Sequence, residues 1–362
     1  MKKIIVGFMV LIMMFAVVAC SSPAQTTPSE DSSNAAETPA SDDGSSQETT
    51  GDVSPSDIKV AWIGKGLNNP WFVHIADLAA REAEALGISM SIDMVTEQVD
   101  LDKQVALIEA AIERGDDAIV ISATSGEGVI PSIQKARDAG MKIVNFDTRI
   151  ADPEMYDAFV GCDDYAGAYK AGMFIGEQVQ EGEVAIITGA LQQSTGVDRR
   201  AGFMDAMENF PNITVVSEAG AEWRSDLAVD VMQNILTANP NVKAVFACND
   251  TMATGAVSAI QAAGKQPGDI IVVGMDGTQE VCDYVLEGWV TADVALPTQD
   301  EAVMGPRLAC ALIMNPDYEF DREILYDTPL FSKEFYEGHT DMTIYEYMSQ
   351  VFPLYGVTTG GY

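Results

Sequence analysis

Residues 117–148 open with Asp117-Ala118-Ile119-Val120-Ile121-Ser122, pass through a helix ending Ile133-Gln134-Lys135-Ala136-Arg137-Asp138-Ala139-Gly140, and finish at Phe146-Asp147-Thr148. Residues 243–278 repeat the plan: a strand, the turn Asn249-Asp250, a helix ending Ala259-Ile260-Gln261-Ala262-Ala263-Gly264, and a strand running into Met275-Asp276-Gly277-Thr278. Short β-branched runs between helical stretches are the pattern of parallel strands covered by helices on both faces. A plan used twice predicts two lobes of similar build. Ligands in such sheets sit beyond the carboxyl ends of the strands, so Asp147 and Asp276 are expected to face a shared cleft.

The same beat extends outward. Strand-like runs fall at 60–63, 89–94, 118–122, 142–146, 158–162, 184–188, 213–217, 244–248, 270–274 and 290–294. Helices fit between most of them, as in the stretch 71–86, which Asn69 caps, Pro70 starts and Gly87 ends. The predicted fold class is α/β, with two doubly wound parallel-sheet lobes.

The chain begins differently. Met1-Lys2-Lys3 leads an uncharged apolar run to Val17-Val18-Ala19-Cys20, the layout of a signal peptide and shorter than the ~20 residues of a spanning helix. Cys20 followed by Ser21-Ser22 resembles a bacterial lipobox, which implies lipid on the Cys20 thiol and removal of residues 1–19. Residues 21–56 hold seven acids, no Lys or Arg and one large aliphatic residue, Val53, too little apolar surface to offset their conformational entropy. They read as a linker spanning roughly 30–36 Å, more where the acids repel. Most of the formal charge of −35 therefore belongs to the folded part, a balance that repels phosphate backbones and disfavours nucleic acid as a partner. Cys162, Cys248, Cys282 and Cys310 lack any CxxC spacing; no zinc site, other metal or cofactor is expected, and a single disulfide and buried thiols are both open.

The loops after the strands carry the chemistry. They hold Asn68-Asn69-Pro70-Trp71-Phe72, Asp147-Thr148-Arg149, Asp198-Arg199-Arg200, Glu222-Trp223-Arg224, Asn249-Asp250 and Asp276. Carboxylates accept hydrogen bonds from hydroxyls, amides both donate and accept, guanidinium donates as a planar fork, and aromatic faces cover C–H surfaces. Together they suit a neutral polyhydroxylated ligand. Core packing of Trp71 and Phe72, and capping of the next helices by Asp147 and Asp276, are the plainer readings of those residues.

The order of Asn68-Asn69-Pro70-Trp71-Phe72, Val231-Met232-Gln233-Asn234, Ala244-Val245-Phe246-Ala247-Cys248-Asn249-Asp250 and Val272-Val273-Gly274-Met275-Asp276-Gly277-Thr278 resembles the ribose/galactose type of periplasmic sugar-binding protein over about residues 57–330. The resemblance implies a type I periplasmic binding protein fold, with two lobes joined by a three-segment hinge that close over a monosaccharide and deliver it to an ABC permease. It also implies ligand contacts at Asn69, Trp71, Phe72, Asp147, Arg199, Trp223, Asn249 and Asp276, to which the neighbours Thr148 and Arg149 are added. Thr148 stands where ribose-binding members tend to have Arg, and Leu296, with Gln299 close by, where many have a hinge-proximal Gln; the sugar is left open.

The expected division is 1–19 signal peptide, 20–56 lipidated Cys20 and linker, 57–161 with about 297–323 first lobe, 162–296 with about 324–345 second lobe, and 346–362 tail. A monomer held outside the cytoplasm on the cell membrane is expected, with no catalytic residue. Gly64-Lys65-Gly66 imitates a dinucleotide loop but has Asn69 where a third glycine belongs, and no P-loop, G-x-S-x-G or H-E-x-x-H occurs. An acidic leash occupies the place where a repressor of this fold would carry its DNA-binding helices. Two alternatives remain: a receptor for an autoinducer-like signal or a nucleoside feeding a chemoreceptor or sensor kinase, and a lectin-like surface protein. Replacing Asp276 or Arg199 by Ala is expected to weaken binding and leave the fold intact.

Overall fold

The computed structural model of the protein describes residues 53–316 and 320–334. The expected signal peptide, Cys20, nearly all of the linker and the tail lie outside the described residues.

The first sheet has the order β11-β5-β4-β3-β1-β2. It is built from β1 (Lys59–Gly64), β2 (Ser89–Met94), β3 (Ala118–Ile121), β4 (Lys142–Phe146), β5 (Ala158–Cys162) and β11 (Glu323–Tyr326). The second, ordered β12-β10-β9-β8-β6-β7, takes β6 (Gly182–Thr188), β7 (Ile213–Gly220), β8 (Val242–Ala247), β9 (Ile271–Asp276), β10 (Ala292–Ala295) and β12 (Leu330–Ser332). Pairing is parallel apart from β10 with β12. Leaving aside β11 and β12, each sheet runs first strand between second and third, so the winding reverses between β1 and β3 and between β6 and β8. Those switch points are where doubly wound sheets bind ligands.

Central strands are buried along nearly their whole length, as β3 (Ala-Ile-Val-Ile) and β8 from Ala244 onward show. Helices α1 (Pro70–Leu86), α2 (Leu101–Arg114) and α3 (Ile130–Asp138) cover the first sheet together with α9 (Thr298–Met314), which packs on α1, β3, β4 and β5. Helices α4 (Asp164–Val179), α5 (Ser194–Met207), α6 (Ser225–Ala238), α7 (Asp250–Ala262) and α8 (Gln279–Glu287) cover the second. The chain thus crosses between sheets after β5, after β10 and again at 327–329. That third crossing corrects one expectation, because residues 324–326 pair with β5 in the first sheet and do not join the second lobe. Both late strands escaped the sequence reading: β11 has four residues and β12 three, too short to set a period.

The structure decides the thiol question: Cys162, Cys248, Cys282 and Cys310 all remain outside disulfides. Among the described residues no helix is long and apolar enough to cross a membrane, and no group of His, Cys, Asp and Glu is placed to hold a metal ion.

Candidate functional site

A cavity lies where the two switch points face each other, lined by Lys65, Asn69, Trp71, Phe72, Gln98 and Asp147 from the first lobe and Thr195, Arg199, Trp223, Asn249 and Asp276 from the second. Its lining holds two cations and two carboxylates, a balance that suits an uncharged guest.

Helix capping sets the two amides. Asn69 is the N-cap of α1 and its Oδ1 accepts from Trp71 N at 2.9 Å; Asn249 is the N-cap of α7 and its Oδ1 accepts from Met252 N at 2.9 Å. Each amide oxygen is turned toward its helix, leaving each NH₂ to donate into the cavity. Asn249 is therefore the cap residue and Asp250 the first residue of the helix.

Neither site aspartate caps a helix. Asp147 Oδ2 accepts from Ser122 Oγ at 2.7 Å and Thr148 Oγ1 at 2.9 Å, and stands 3.4 Å from Lys65 Nζ. Asp276 Oδ1 accepts from Arg199 Nη1 at 3.2 Å, while its Oδ2 is buried with no partner. Thr278, not Asp276, precedes α8 as its N-cap residue. Asp147 sits at φ 53°, a left-handed conformation unusual outside glycine. Glu222 and Trp223 share that region at φ 49° and 65°, strain of the kind kept where a side chain must be aimed. The Trp223 ring also needs Gly189, because a Cβ there would run into the indole.

Burial dominates the electrostatics. Arg199, 3% exposed, donates from Nε to Asp164 Oδ1 at 2.6 Å and from Nη1 to the Cys248 carbonyl at 2.8 Å as well as to Asp276. Three of its five N–H donors are thereby used, leaving two to offer a ligand. Desolvation raises the Asp164 carboxyl to about 6, with Arg199 opposing, and lifts Asp276 well above the carboxylate range against the same opposing charge. Lys65 is lowered, chiefly by burial, with Asp147 opposing. Behind the second-lobe wall, Asp250 and Asp293 flank Gly274, where an added Cβ would lie 2.6 Å from one carboxyl and 3.1 Å from the other. Burial pushes Asp293 up to about 7.

The aromatic side chains enclose this polar set. Trp71 and Phe72 meet edge to face at 4.8 Å, and Trp71 Nε1 donates to Thr298 Oγ1 on α9 at 2.9 Å. Both are buried and both line the cavity, so packing and cavity lining coexist in them. Trp223 forms a wall on the second-lobe side, with the Arg199 guanidinium 5.6 Å from its ring.

Two expected contacts fall elsewhere. Thr148 is buried behind the wall, accepting from Lys65 Nζ at 2.5 Å and lying 3.2 Å from Thr195 Oγ1. Arg149 points away from the cavity: its guanidinium lies 3.6 Å from the Phe159 ring centre and pairs with Glu323 on β11 at 2.5 Å. Lys65, Gln98 and Thr195, by contrast, line the cavity without having been expected to. The signal for Lys65 was present in Gly64-Lys65-Gly66, directly after the first strand; Gln98 and Thr195 carry no local signature.

Comparison with known proteins agrees with this geometry. A family model described as periplasmic binding protein domain matches residues 60–316. The D-ribose/D-allose-binding protein of Pseudomonas aeruginosa is 31% identical over 286 residues, covering 76% of this chain and 89% of that protein. The D-allose-binding periplasmic protein of Escherichia coli is 33% identical over 252 residues, 67% of this chain and 81% of its own length. Among solved structures, an ABC transporter periplasmic solute binding protein from Actinobacillus succinogenes with bound D-allose superposes with a TM-score of 0.72 at 28% identity, covering 78% of this chain and 99% of that one. The chain belongs to the periplasmic binding protein domain family, as a ribose/galactose-type sugar-binding member that binds solute and is not an enzyme.

Proposed function

We propose that the protein is an extracytoplasmic receptor that captures one neutral monosaccharide between its lobes and hands it to an ABC permease, held to the membrane by lipid on Cys20. The observation that carries the reading is the matched lining: an amide NH₂ and a carboxylate from each lobe, two spare Arg199 donors, and aromatic rings from both sides. A ligand touching both lobes favours the closed arrangement by its differential affinity, and the permease reads closure. The names of the relatives make D-allose and D-ribose the first candidates.

Titration calorimetry of the purified protein against pentoses, hexoses, inositol and nucleosides tests the ligand. One neutral sugar binding at micromolar Kd or tighter, with sugar acids silent, is the expected result; a nucleoside as the sole binder would replace the sugar reading. Mass spectrometry of the membrane-extracted protein tests the anchor, since a diacylated Cys20 is expected at the mature N-terminus and its absence removes that element.

A further inference from the structure

Gln193 belongs to the second lobe, in the turn between β6 and α5, and is fully buried. Its Nε2 donates across the cleft to the Gln98 carbonyl at 2.6 Å and the Thr124 carbonyl at 3.0 Å, both in the first lobe. Its Oε1 accepts from Lys65 Nζ of the first lobe at 2.9 Å and from Trp223 Nε1 of its own lobe at 2.8 Å. A primary amide has two donors and two acceptor lone pairs, so all four are spent and three of the four bonds cross between lobes.

The two sides are prepared independently. Within the first lobe, Gln104 Oε1 accepts from Thr124 N at 2.8 Å and Thr124 Oγ1 at 2.9 Å, fixing the carbonyl that Gln193 reaches. Within the second, the Trp223 indole holds the amide by its oxygen. Opening the cleft would therefore break three bonds at one side chain and hydrate both halves without disturbing either lobe.

We propose that Gln193 is the latch of the closed state, a positioning residue that sets how long a ligand stays rather than how fast it arrives. The inference rests on the capture-by-closure reading above. It also links the latch to the site, because the same oxygen holds Lys65 and Trp223, which line the cavity.

The test is stopped-flow kinetics of sugar binding in the wild type, Gln193→Ala and Gln193→Glu, with the ligand-free unfolding midpoint of each. Gln193→Ala is expected to speed dissociation by about tenfold or more through loss of its hydrogen bonds. Its association rate should stay within about threefold and its ligand-free midpoint should match the wild type. Gln193→Glu keeps an acceptor for Lys65 and Trp223 but sets carboxylate oxygen against two carbonyls. It should dissociate as fast as Gln193→Ala at pH 8 and slow down at pH 5, where a protonated carboxyl regains one donor. Wild-type dissociation from either variant at pH 8, or a lowered ligand-free midpoint with dissociation unchanged, overturns the latch. Distances between spin labels on α3 and α6 measure closure without any ligand; an equal closed fraction in wild type and Gln193→Ala also overturns it. A wild type that binds no sugar yet loses closed population on mutation would instead sink the sugar reading and leave the latch standing.

Discussion

The segments 117–148 and 243–278 each end a strand in an aspartate, yet the two lobes compensate that charge differently. In the first, Asp147 faces one cation, Lys65, and takes two hydroxyl hydrogen bonds from its own lobe. In the second, one cation, Arg199, stands between two carboxylates, Asp164 and Asp276. One side is a balanced pair and the other an acid-rich triad with a buried, unpartnered oxygen. Equivalent position in a repeated plan does not make equivalent chemistry; the neighbours decide which carboxylate is spent on structure and which is kept for a ligand.

The sharpest way to break this comparison is to remove the shared cation. Arg199→Ala strands two buried carboxylates, a loss on the order of 3–5 kcal/mol near neutral pH. This revises the expectation that Arg199→Ala leaves the fold intact. Denaturant unfolding at pH 8 and pH 5 checks it: the deficit should shrink at pH 5, where Asp164, raised to about 6 even beside Arg199, takes up a proton.

Asparagine exchange at the two aspartates sharpens the contrast. Asp276→Asn should weaken sugar binding by about 1–3 kcal/mol, because it removes the buried acceptor Oδ2 and leaves a ligand hydroxyl unpaired, without lowering ligand-free stability, because Arg199 keeps Asp164. Asp147→Asn removes the carboxylate charge facing a buried lysine and should lower the ligand-free unfolding midpoint as well. Equal behaviour of the two variants in both calorimetric titration and thermal unfolding would erase the distinction.

A smaller effect follows from two buried acids, Asp293 on β10 behind the second-lobe wall and Asp300 on α9 of the first lobe. Asp293 and Asp300, each pushed up to about 7 by burial, bind protons in the folded state that the unfolded chain releases near pH 4. Folding stability from these groups is full below the unfolded value and is lost as pH rises through about 7. The unfolding midpoint should therefore climb between pH 8 and pH 5. Asp293→Asn, which imitates the protonated form, should raise the pH 8 midpoint by on the order of 2–4 °C per kcal/mol gained and flatten the climb.

The smallest change is Trp223→Phe, which keeps a ring but deletes the indole donor to Gln193 Oε1. A loss of about 0.5–1.5 kcal/mol in binding, read as faster sugar dissociation, is expected.

What was legible in the chain follows the range of the interactions. The repeated strand and helix pattern, Asn69 before Pro70, and aspartates at strand ends are local features that placed both lobes and the loops facing the cleft, while the choice of Arg199, Trp223 and Asn249 within those loops came from the family resemblance. Lys65 was read in its loop but not as a buried cation, because its burial depends on Asp147 and Gln193, far away in sequence. Arg149 failed for a related reason: its partner Glu323 lies on β11, a four-residue strand with no period of its own, and the left-handed turn at Asp147 redirects the chain just before it. Thr148 was placed one layer too close to the ligand, since its hydroxyl is consumed by Lys65 and Asp147.

The most direct test of the account is a crystal structure of the protein with the tightest-binding neutral sugar. The account predicts the sugar ring between Trp71 or Phe72 and Trp223, with hydroxyls donating to Asp147 Oδ1 and Asp276 Oδ2 and accepting from Asn69 and Asn249. A sugar seated outside the cleft, or one held in it without contact to Asp276, would contradict it.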